Sequence, residues 1–380
     1  MAVSSIIITI LYLLLIGGFI WGFDKVKSGV LTDSPAKTKF SIIIPFRDES
    51  KNLPQLLQSI YQLNYPKHLF EILLVDDDST DNSIEIINTF LEASTRGNAV
   101  TVTIRIIKNK RVSNSPKKDA IYTAINSATH QWILTTDADC ILPEFWLDCF
   151  DAFIQQHNPT CIVAPVAYTD DNTFLSRFQQ LDFLSLQGAT IGGFGIKKPF
   201  LCNGANFGYT KAAFREVDGF NDNNTIASGD DIFLLESIIK KYPTSVKYLK
   251  HEHAIVTTRP QPTWQQLISQ RLRWAAKTGH YNNWFGKFTG AIVFLMNFTF
   301  IALPMGSLFG FFNIKVWVYI LIIKLNIDFL LLYKTSAFFN QRKAFRSFLT
   351  SFFLYPFFSV YIVFLSVFKS YDWKGRTFKR

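Results

Sequence analysis

Two stretches, Phe40–Ser50 (FSIIIPFRDES) and Glu71–Asp81 (EILLVDDDSTD), share one pattern: a short apolar, β-rich run that stops at polar and acidic residues. Each is followed by a helical signal. Leu53, Leu56, Leu57 and Ile60 recur at helical spacing within Asn52–Leu63, and Ser83–Leu91 predicts a second helix behind a polar cap. Val102–Ile107 predicts a third strand, Asp119–Ala128 a third helix and Trp132–Thr135 a fourth strand. Strands that alternate with helices predict an α/β domain with a mostly parallel sheet and helices on both faces, here from Lys39 to about Phe288. In such sheets ligands sit beyond the carboxyl ends of the strands. That rule selects PFRDES after the first strand, DDDSTD after the second and TDADC after the fourth.

Outside this region the chain turns apolar. Residues 1–23 carry no charged side chain, and Ser5–Phe23 is long enough to cross a bilayer as a helix. No Lys or Arg precedes it and no small-x-small site follows, so an uncleaved anchor is expected rather than a signal peptide. Three more apolar runs follow: Gly290–Phe312, Val316–Tyr333 and Phe348–Phe368. Of the 38 Phe, 18 lie beyond residue 288, where a membrane would hold them. Lys334, Arg342, Lys343 and Arg346 mark the loop before the last run as cytoplasmic, and Lys369, Lys374, Arg376, Lys379 and Arg380 ask the same of the tail. Three full crossings would instead put that tail outside. Pro356 therefore suggests a broken last run, re-entrant or interfacial.

Charge narrows the class of partner. The chain of 380 residues has 39 basic and 29 acidic groups, a net charge of +10. Residues 39–288 hold 25 of each and are neutral, whereas 289–380 hold eleven basic and two acidic groups. A nucleic-acid binder would carry its excess on the folded domain. Here the excess borders apolar segments and suits cytoplasmic loops and anionic headgroups. Cys140, Cys149, Cys161 and Cys202 show no CxxC pair or zinc-like spacing, so they are read as buried hydrophobes in a reducing compartment. His251 and His253 are read as structural.

The acidic strand ends offer more than solubility. Asp76, Asp77 and Asp78 repel one another and imply a partner such as a base edge, a ribose or a cation, although Ser79 and Asp81 can serve as ordinary caps. Asp137 and Asp139, spaced i, i+2 at a strand end, can face one pocket and hold a hard divalent cation through oxygen. Gly229-Asp230-Asp231 opens a helical stretch, Ile232–Ile239, where Asp230 alone could be a cap. QRLRW, Gln270–Trp274, puts Gln270, Arg273 and Trp274 on one helix face. An amide, a guanidinium and an indole there suit a charged or sugar-like ligand better than an apolar core.

Taken in order, SIIIPFRDES, EILLVDDDSTDNS, a Lys-rich KKDA turn, TDADC, ASGDD and QRLRW resemble the family 2 glycosyltransferases over residues 39–275. The resemblance is to the membrane-bound branch that includes cellulose, hyaluronan and chitin synthases and ceramide glucosyltransferase. It implies a GT-A fold, a nucleotide-sugar donor, Mn²⁺ or Mg²⁺, and inversion at the anomeric carbon. By the same resemblance Pro45, Phe46, Arg47 and Glu49 hold the nucleotide, Asp77 its base, and Lys118 in the KKDA turn contributes to the donor site. Asp139 is implied as the direct metal ligand, with Asp137 beside it nearer the sugar or ribose. Asp231 is implied as general base with Asp230 as its alternate, and Gln270, Arg273 and Trp274 hold the diphosphate and the acceptor side. The chain departs from the family where Asp48 stands for Asn and Asp78 for Gly. The second change adds a charge beside the expected base pocket.

The expected organisation is an anchor over residues 1–23, a linker over 24–38 and a nucleotide-sugar-binding half over 39–160. An acceptor-binding and catalytic half follows over 161–288, then a membrane region over 289–380. The expected activity is transfer of a sugar, a UDP-sugar first, to a hydroxyl of a lipid or lipid-linked acceptor at the inner face of the plasma or inner membrane, with the catalytic domain cytoplasmic. A processive polysaccharide synthase shares QxxRW but needs more helices to enclose a polymer. A nucleotidyltransferase gives no reason for QRLRW. A non-catalytic nucleotide-sugar-binding scaffold would not need Asp77, Asp139, Asp231 and Arg273 together.

Overall fold

Strands form where the apolar runs lie. The computed structural model describes residues 2–31, 34–95, 102–220, 229–311, 313–368, 371–373 and 376–378. After helix α1 (Ala2–Lys25) come β1 (Phe40–Phe46), α2 (Leu53–Tyr61), β2 (Phe70–Asp76), α3 (Ser83–Thr95), β3 (Thr103–Lys108), α4 (Pro116–Ser127) and β4 (Trp132–Thr135). These match the expected elements to within a few residues. The chain goes on through β5 (Cys140–Ile141), α5 (Trp146–His157), β6 (Cys161–Val163), β7 (Val166–Tyr168), α6 (Phe174–Gly195), β8 (Phe207–Thr210), α7 (Lys211–Glu216) and α8 (Asp230–Lys241). Then follow β9 (Val246–Tyr248), β10 (Val256–Thr258), α9 (Trp264–Ala276), α10 (Trp284–Leu308), α11 (Ile314–Phe338), α12 (Phe348–Phe368), β11 (Tyr371–Trp373) and β12 (Arg376–Phe378).

The main sheet has the order β3-β2-β1-β4-β8-β6-β9, and β5-β10-β7 form a smaller one. β1 runs parallel to β2 and β4, and β2 parallel to β3. β8 runs antiparallel to both its neighbours. Register then sets the functional edge: Phe46 pairs with Asp76, Asp76 with Lys108 and Ile43 with Thr135. The chain therefore leaves β1, β2 and β4 on the same side of the sheet, with their acidic residues together. Ile42, Ile43, Ile44, Leu73, Leu74 and Leu134 beneath that edge are fully buried.

Asp48 and Asp78, where the chain departs from the pattern it resembles, both stand in turns at this edge. Asp48, after β1, and Asp78, after β2, have φ of 51° and 57°. That left-handed region suits Gly and, next, Asn, which are the family's residues at these places. Asp48 compensates by accepting from the Thr80 N–H at 2.7 Å, which with the Thr80 hydroxyl lowers its pKa. Asp78 is exposed, with Lys108 3.5 Å away.

The chain divides into two compact units, one of residues 27–167 with 202–259 and the other of residues 1–26, 168–201 and 260–380. The expected boundary at 160/161 divides the chain by the ligand each half would bind, and it is not the boundary between these units. The sheet unit extends past residue 160, and the membrane unit takes in α6 and α9, which were expected in the acceptor half. Glycines explain the placement of α6. A Cβ on Gly22 would lie 2.2 Å from the Gly192 carbonyl oxygen, and one on Gly195 1.8 Å from that of Gly22. α1 and α6 therefore touch backbone to backbone, the close approach that small residues permit between packed helices.

Within the second unit four helices are long and apolar enough to cross a membrane: Val3–Lys25, Trp284–Leu308, Ile314–Phe338 and Arg342–Phe368. The last corrects the expectation of a break at Pro356, because α12 runs through that proline without interruption. Proline is tolerated in membrane helices where neighbours satisfy the freed backbone. Beyond α12, β11 pairs antiparallel with β12 and lies against α9. Lys369, Lys374, Lys379 and Arg380 lie outside the described residues, as do Ala227 and Ser228 of ASGDD.

Candidate active site

The residues expected to hold the nucleotide meet at the ends of β1 and β2. Pro45 and Phe46 are the last residues of β1, with Phe46 buried, and Glu49 is partly exposed in the turn that follows. Asp77 is buried. Its Oδ1 accepts from Asn109 Nδ2 at 2.7 Å and lies 3.4 Å from the Arg111 guanidinium. Arg47 donates to the Asp77 carbonyl at 3.0 Å and sits 3.8 Å from its carboxylate. The triple aspartate is thus split by role. Asp76 accepts from the Ser79 N–H, Asp77 faces two guanidinium groups and Asp78 is solvated. Asp81 is a cap: it accepts from Ser50 and Ser83, and those bonds overcome burial to lower its pKa to about 2.

The second cluster lies past β4. Lys117, in the first turn of α4, donates to Asp137 at 2.6 Å and lies 3.5 Å from Asp230. Burial works against its ammonium, but Asp137, Asp230 and Asp231 outweigh it and hold its pKa above the lysine range. Its neighbour Lys118, singled out from the KKDA turn, is 1% exposed and stands 5.0 Å from the Phe233 ring. One residue along a helix turns a side chain by about 100°, so only helical phase separates the two. Asp231 is fixed by backbone donors, its Oδ2 accepting from the Gly204 N–H at 3.0 Å and its Oδ1 from the Ile232 N–H at 2.8 Å. Asp230 is the more buried of the pair, at 8% exposure.

Gly204 was not anticipated. A Cβ there would lie 3.3 Å from Asp230 Oδ2, 3.4 Å from Lys117 Nζ and 3.5 Å from Asp231 Cβ, so its backbone can close on all three. Thr135 donates to its carbonyl at 2.8 Å, tying this loop to the end of β4. The signal available was the run Asn203-Gly204-Ala205-Asn206, which carries no charge.

Asp139 completes the strand end. Burial first, then the charges of Asp137 and Glu49, push its pKa up to about 6. A carboxyl so placed is short of positive charge. Asp137 and Asp139 offer oxygen donors only, which fits Mg²⁺ or Mn²⁺ and not a thiolate-loving metal. Among the described residues no group of three or more His, Cys, Asp or Glu gathers as a metal cage. A cation here would complete its shell with substrate phosphates and water, as Mg²⁺ commonly does.

Gln270, Arg273 and Trp274 lie on α9, in the other unit. Tyr168 Oη donates to Gln270 Oε1 at 3.4 Å, and Trp274 packs with Phe183. Between them lies a residue the helical-face argument passed over. Arg271 is buried, 2.7 Å from Asp182 and with its guanidinium 4.1 Å from the Trp274 ring centroid. His251 behaves structurally, its Nδ1 3.4 Å from Cys149 Sγ and accepting from the His253 N–H. All four cysteines are free, and Cys140, Cys149 and Cys161 are buried.

A mostly parallel sheet with an Asp-x-Asp turn beyond its fourth strand, in a chain with long apolar helices, has the architecture of a GT-A glycosyltransferase. The chain belongs to the family 2 glycosyltransferases, matching glycosyl transferase family 2 over residues 41–218 and glycosyl transferase family group 2 over 132–374. Among curated relatives, the poly(ribitol-phosphate) β-N-acetylglucosaminyltransferase TarS of Staphylococcus aureus is 28% identical over 120 residues, 32% of this chain and 19% of TarS. The undecaprenyl-phosphate 4-deoxy-4-formamido-L-arabinose transferase of Proteus mirabilis is 35% identical over 102 residues, 27% of this chain and 29% of that protein. The chain thus spans less than a third of the length of either. The mannosyltransferase PcManGT of Pyrobaculum calidifontis, solved with GDP-Man and Mn²⁺, is 15% identical with a TM-score of 0.58 over 96% of each chain. That likeness is one of fold.

Proposed function

We propose that the chain moves a single sugar from a nucleotide sugar, a UDP-sugar in the first instance, to a hydroxyl of a lipid or lipid-linked acceptor at the inner face of the membrane. The observation that carries this reading is the grouping of Asp137, Asp230 and Asp231 about Lys117, with Asp139 beside Asp137, in a chain with four helices long enough to span. A relative named for an undecaprenyl-phosphate acceptor supports the acceptor class. The return of β11 to α9 supports a tail on the same side of the membrane as α9, which requires that α12, though unbroken, starts and ends on that side and does not cross.

Asp77, fixed by Asn109 and flanked by Arg47 and Arg111, receives the base, and Pro45, Phe46 and Glu49 border the nucleotide. Asp139 and Asp137 would hold the divalent cation, which would neutralise charge developing on the diphosphate. By the family pattern, Gln270, Arg273 and Trp274 would take the diphosphate and the acceptor side. The acceptor oxygen attacks the anomeric carbon from the face opposite the diphosphate. The new C–O bond forms as the bond to the phosphate oxygen breaks, which inverts the centre, and the hydroxyl proton passes to Asp231. Lys117 holds Asp137 and Asp230 in place, and Asp230, the more buried carboxylate, positions rather than reacts. Membranes carrying the chain, supplied with labelled nucleotide sugars, should yield a labelled lipid. Asp231→Asn should abolish that product while donor affinity stays within about twofold, since the change removes the proton acceptor alone. Turnover near wild type would assign the base elsewhere.

A further inference from the structure

Arg271 is 6% exposed and lies on α9 between Gln270 and Arg273, yet no step proposed above uses it. One residue along a helix turns a side chain by about 100°, so Arg271 leaves the face that carries Gln270. Its guanidinium is held from several directions. Asp182, on α6, accepts from its Nε at 2.7 Å and lies 2.7 Å from its Nη2. The Trp274 ring centroid is 4.1 Å from the guanidinium carbon. The remaining nitrogen, Nη1, donates to Oε1 of Gln270. All of these residues belong to one compact unit.

That last bond decides how the Gln270 amide is turned. A guanidinium has donors only, so the amide atom facing it must be the oxygen, and Nε2 must point elsewhere. Tyr168 donates to the same oxygen at 3.4 Å, which leaves neither lone pair for a ligand. Nε2 has no hydrogen-bond partner among the described residues, and Gln270 is partly exposed. Arg273, one turn further along the same face, likewise offers donors alone. A sugar hydroxyl both gives and accepts hydrogen bonds and does not call for such a face. An oxygen that only accepts, as on a diphosphate, does.

We infer that Arg271 is a positioning residue for the sugar donor: it turns the Gln270 amide so that its N–H groups, beside the Arg273 guanidinium, meet the diphosphate oxygens. This rests on the reading of Gln270 and Arg273 given above and deepens it. The amide goes to the diphosphate and not to the acceptor, and a buried charge pair aims it.

The test is a cycle of variants in the full chain, purified in detergent, with UDP and uridine as probes and Mn²⁺ present, read by calorimetry. Gln270→Ala should weaken UDP binding about tenfold, the scale of one hydrogen bond to a charged group, and leave uridine within about twofold. Arg271→Lys keeps the charge that Asp182 needs but is a point donor that cannot serve Asp182 and Gln270 together, so UDP should weaken about fivefold. Added to Gln270→Ala, Arg271→Lys should cost less than about twofold more, because the group it aims is gone. A residue that only holds α9 in place would weaken UDP equally in both backgrounds, and that result would overturn the inference. So would unchanged UDP affinity in Arg271→Lys, or a loss in Gln270→Ala that uridine shares. Should Arg271→Lys fail to fold, Asp182→Leu with Arg271→Met removes both charges of the pair at once and runs the same cycle. UDP that binds wild type no more tightly than uridine would overturn this inference and the UDP-sugar reading together. Additive losses in a chain that still makes labelled lipid would overturn this inference alone.

Discussion

Acidification should strip the metal site of its affinity well above the pH at which an ordinary aspartate protonates. The Asp139 carboxyl is pushed to about 6 by burial and by the charges of Asp137 and Glu49. A cation binds the ionised form, so protons compete with it. With a pKa near 6 the ionised fraction is about 0.9 at pH 7 and about 0.1 at pH 5, so apparent Mn²⁺ affinity should fall about tenfold between them. An aspartate at its ordinary value stays about nine-tenths ionised at pH 5 and would lose almost nothing. The sign for stability runs the other way. Without metal, the raised carboxyl costs stability above about pH 6, and that cost fades as it protonates on the way down to the unfolded value. The assay is titration of Mn²⁺ by electron paramagnetic resonance without nucleotide, because a terminal phosphate itself titrates near pH 6. Glu49→Gln should move the midpoint down and Asp139→Asn should remove the dependence along with most of the affinity. A flat affinity from pH 7 to pH 5, or an unchanged slope in Asp139→Asn, would refute the argument.

Lys117→Met leaves Asp137 and the buried Asp230 without their ammonium, and should lower stability to urea by about 2–4 kcal/mol, part of it recovered by added Mn²⁺. A loss below about 0.5 kcal/mol would show that solvent already compensates these carboxylates. Asp78→Gly should be more stable than Asp78→Ala by about 1 kcal/mol, because both remove the carboxylate and only alanine keeps a Cβ in left-handed backbone; equal midpoints would remove strain as the reason for the family's glycine. A single Cys in place of Arg380 should react with a membrane-impermeant thiol reagent only after permeabilisation, and labelling of intact cells would put the tail on the opposite face from the one inferred from β11 and α9.

The sheet was legible because β1, β2 and β4 are buried along their length and read as continuous apolar runs, and because parallel register brings their ends to one edge. The carboxylates were legible for the same reason, since acid at a strand end is easily seen against such runs. Lys117 was not, because a turn containing two lysines does not reveal which one the helix aims at the pocket. Gly204 was not, because its contribution is the absence of a side chain. Arg271 was missed because QRLRW was divided into a ligand face and a remainder, and the remainder carries the buried charge that Asp182 answers. The membership of α6 and α9 was obscured because neither is apolar enough to look like a membrane segment. Pro356 misled through a rule for soluble helices that membrane packing relaxes.

The glycine contact between α1 and α6 changes what the first helix is for. A tether could be trimmed or exchanged for another hydrophobic segment of equal length. Here any side chain at Gly22, Gly192 or Gly195 would force the two backbones apart, and residues 1–26 are one of three pieces of a single folded unit. Removing them to obtain a soluble enzyme would expose the inner face of α6 and delete Tyr12, which donates to Asp328, so such a truncation is a fragment of the enzyme rather than its soluble form. The N-terminus and the last three long helices are bound to change together, and a chimera that keeps one with a relative's version of the other should fail at assembly before it reaches chemistry.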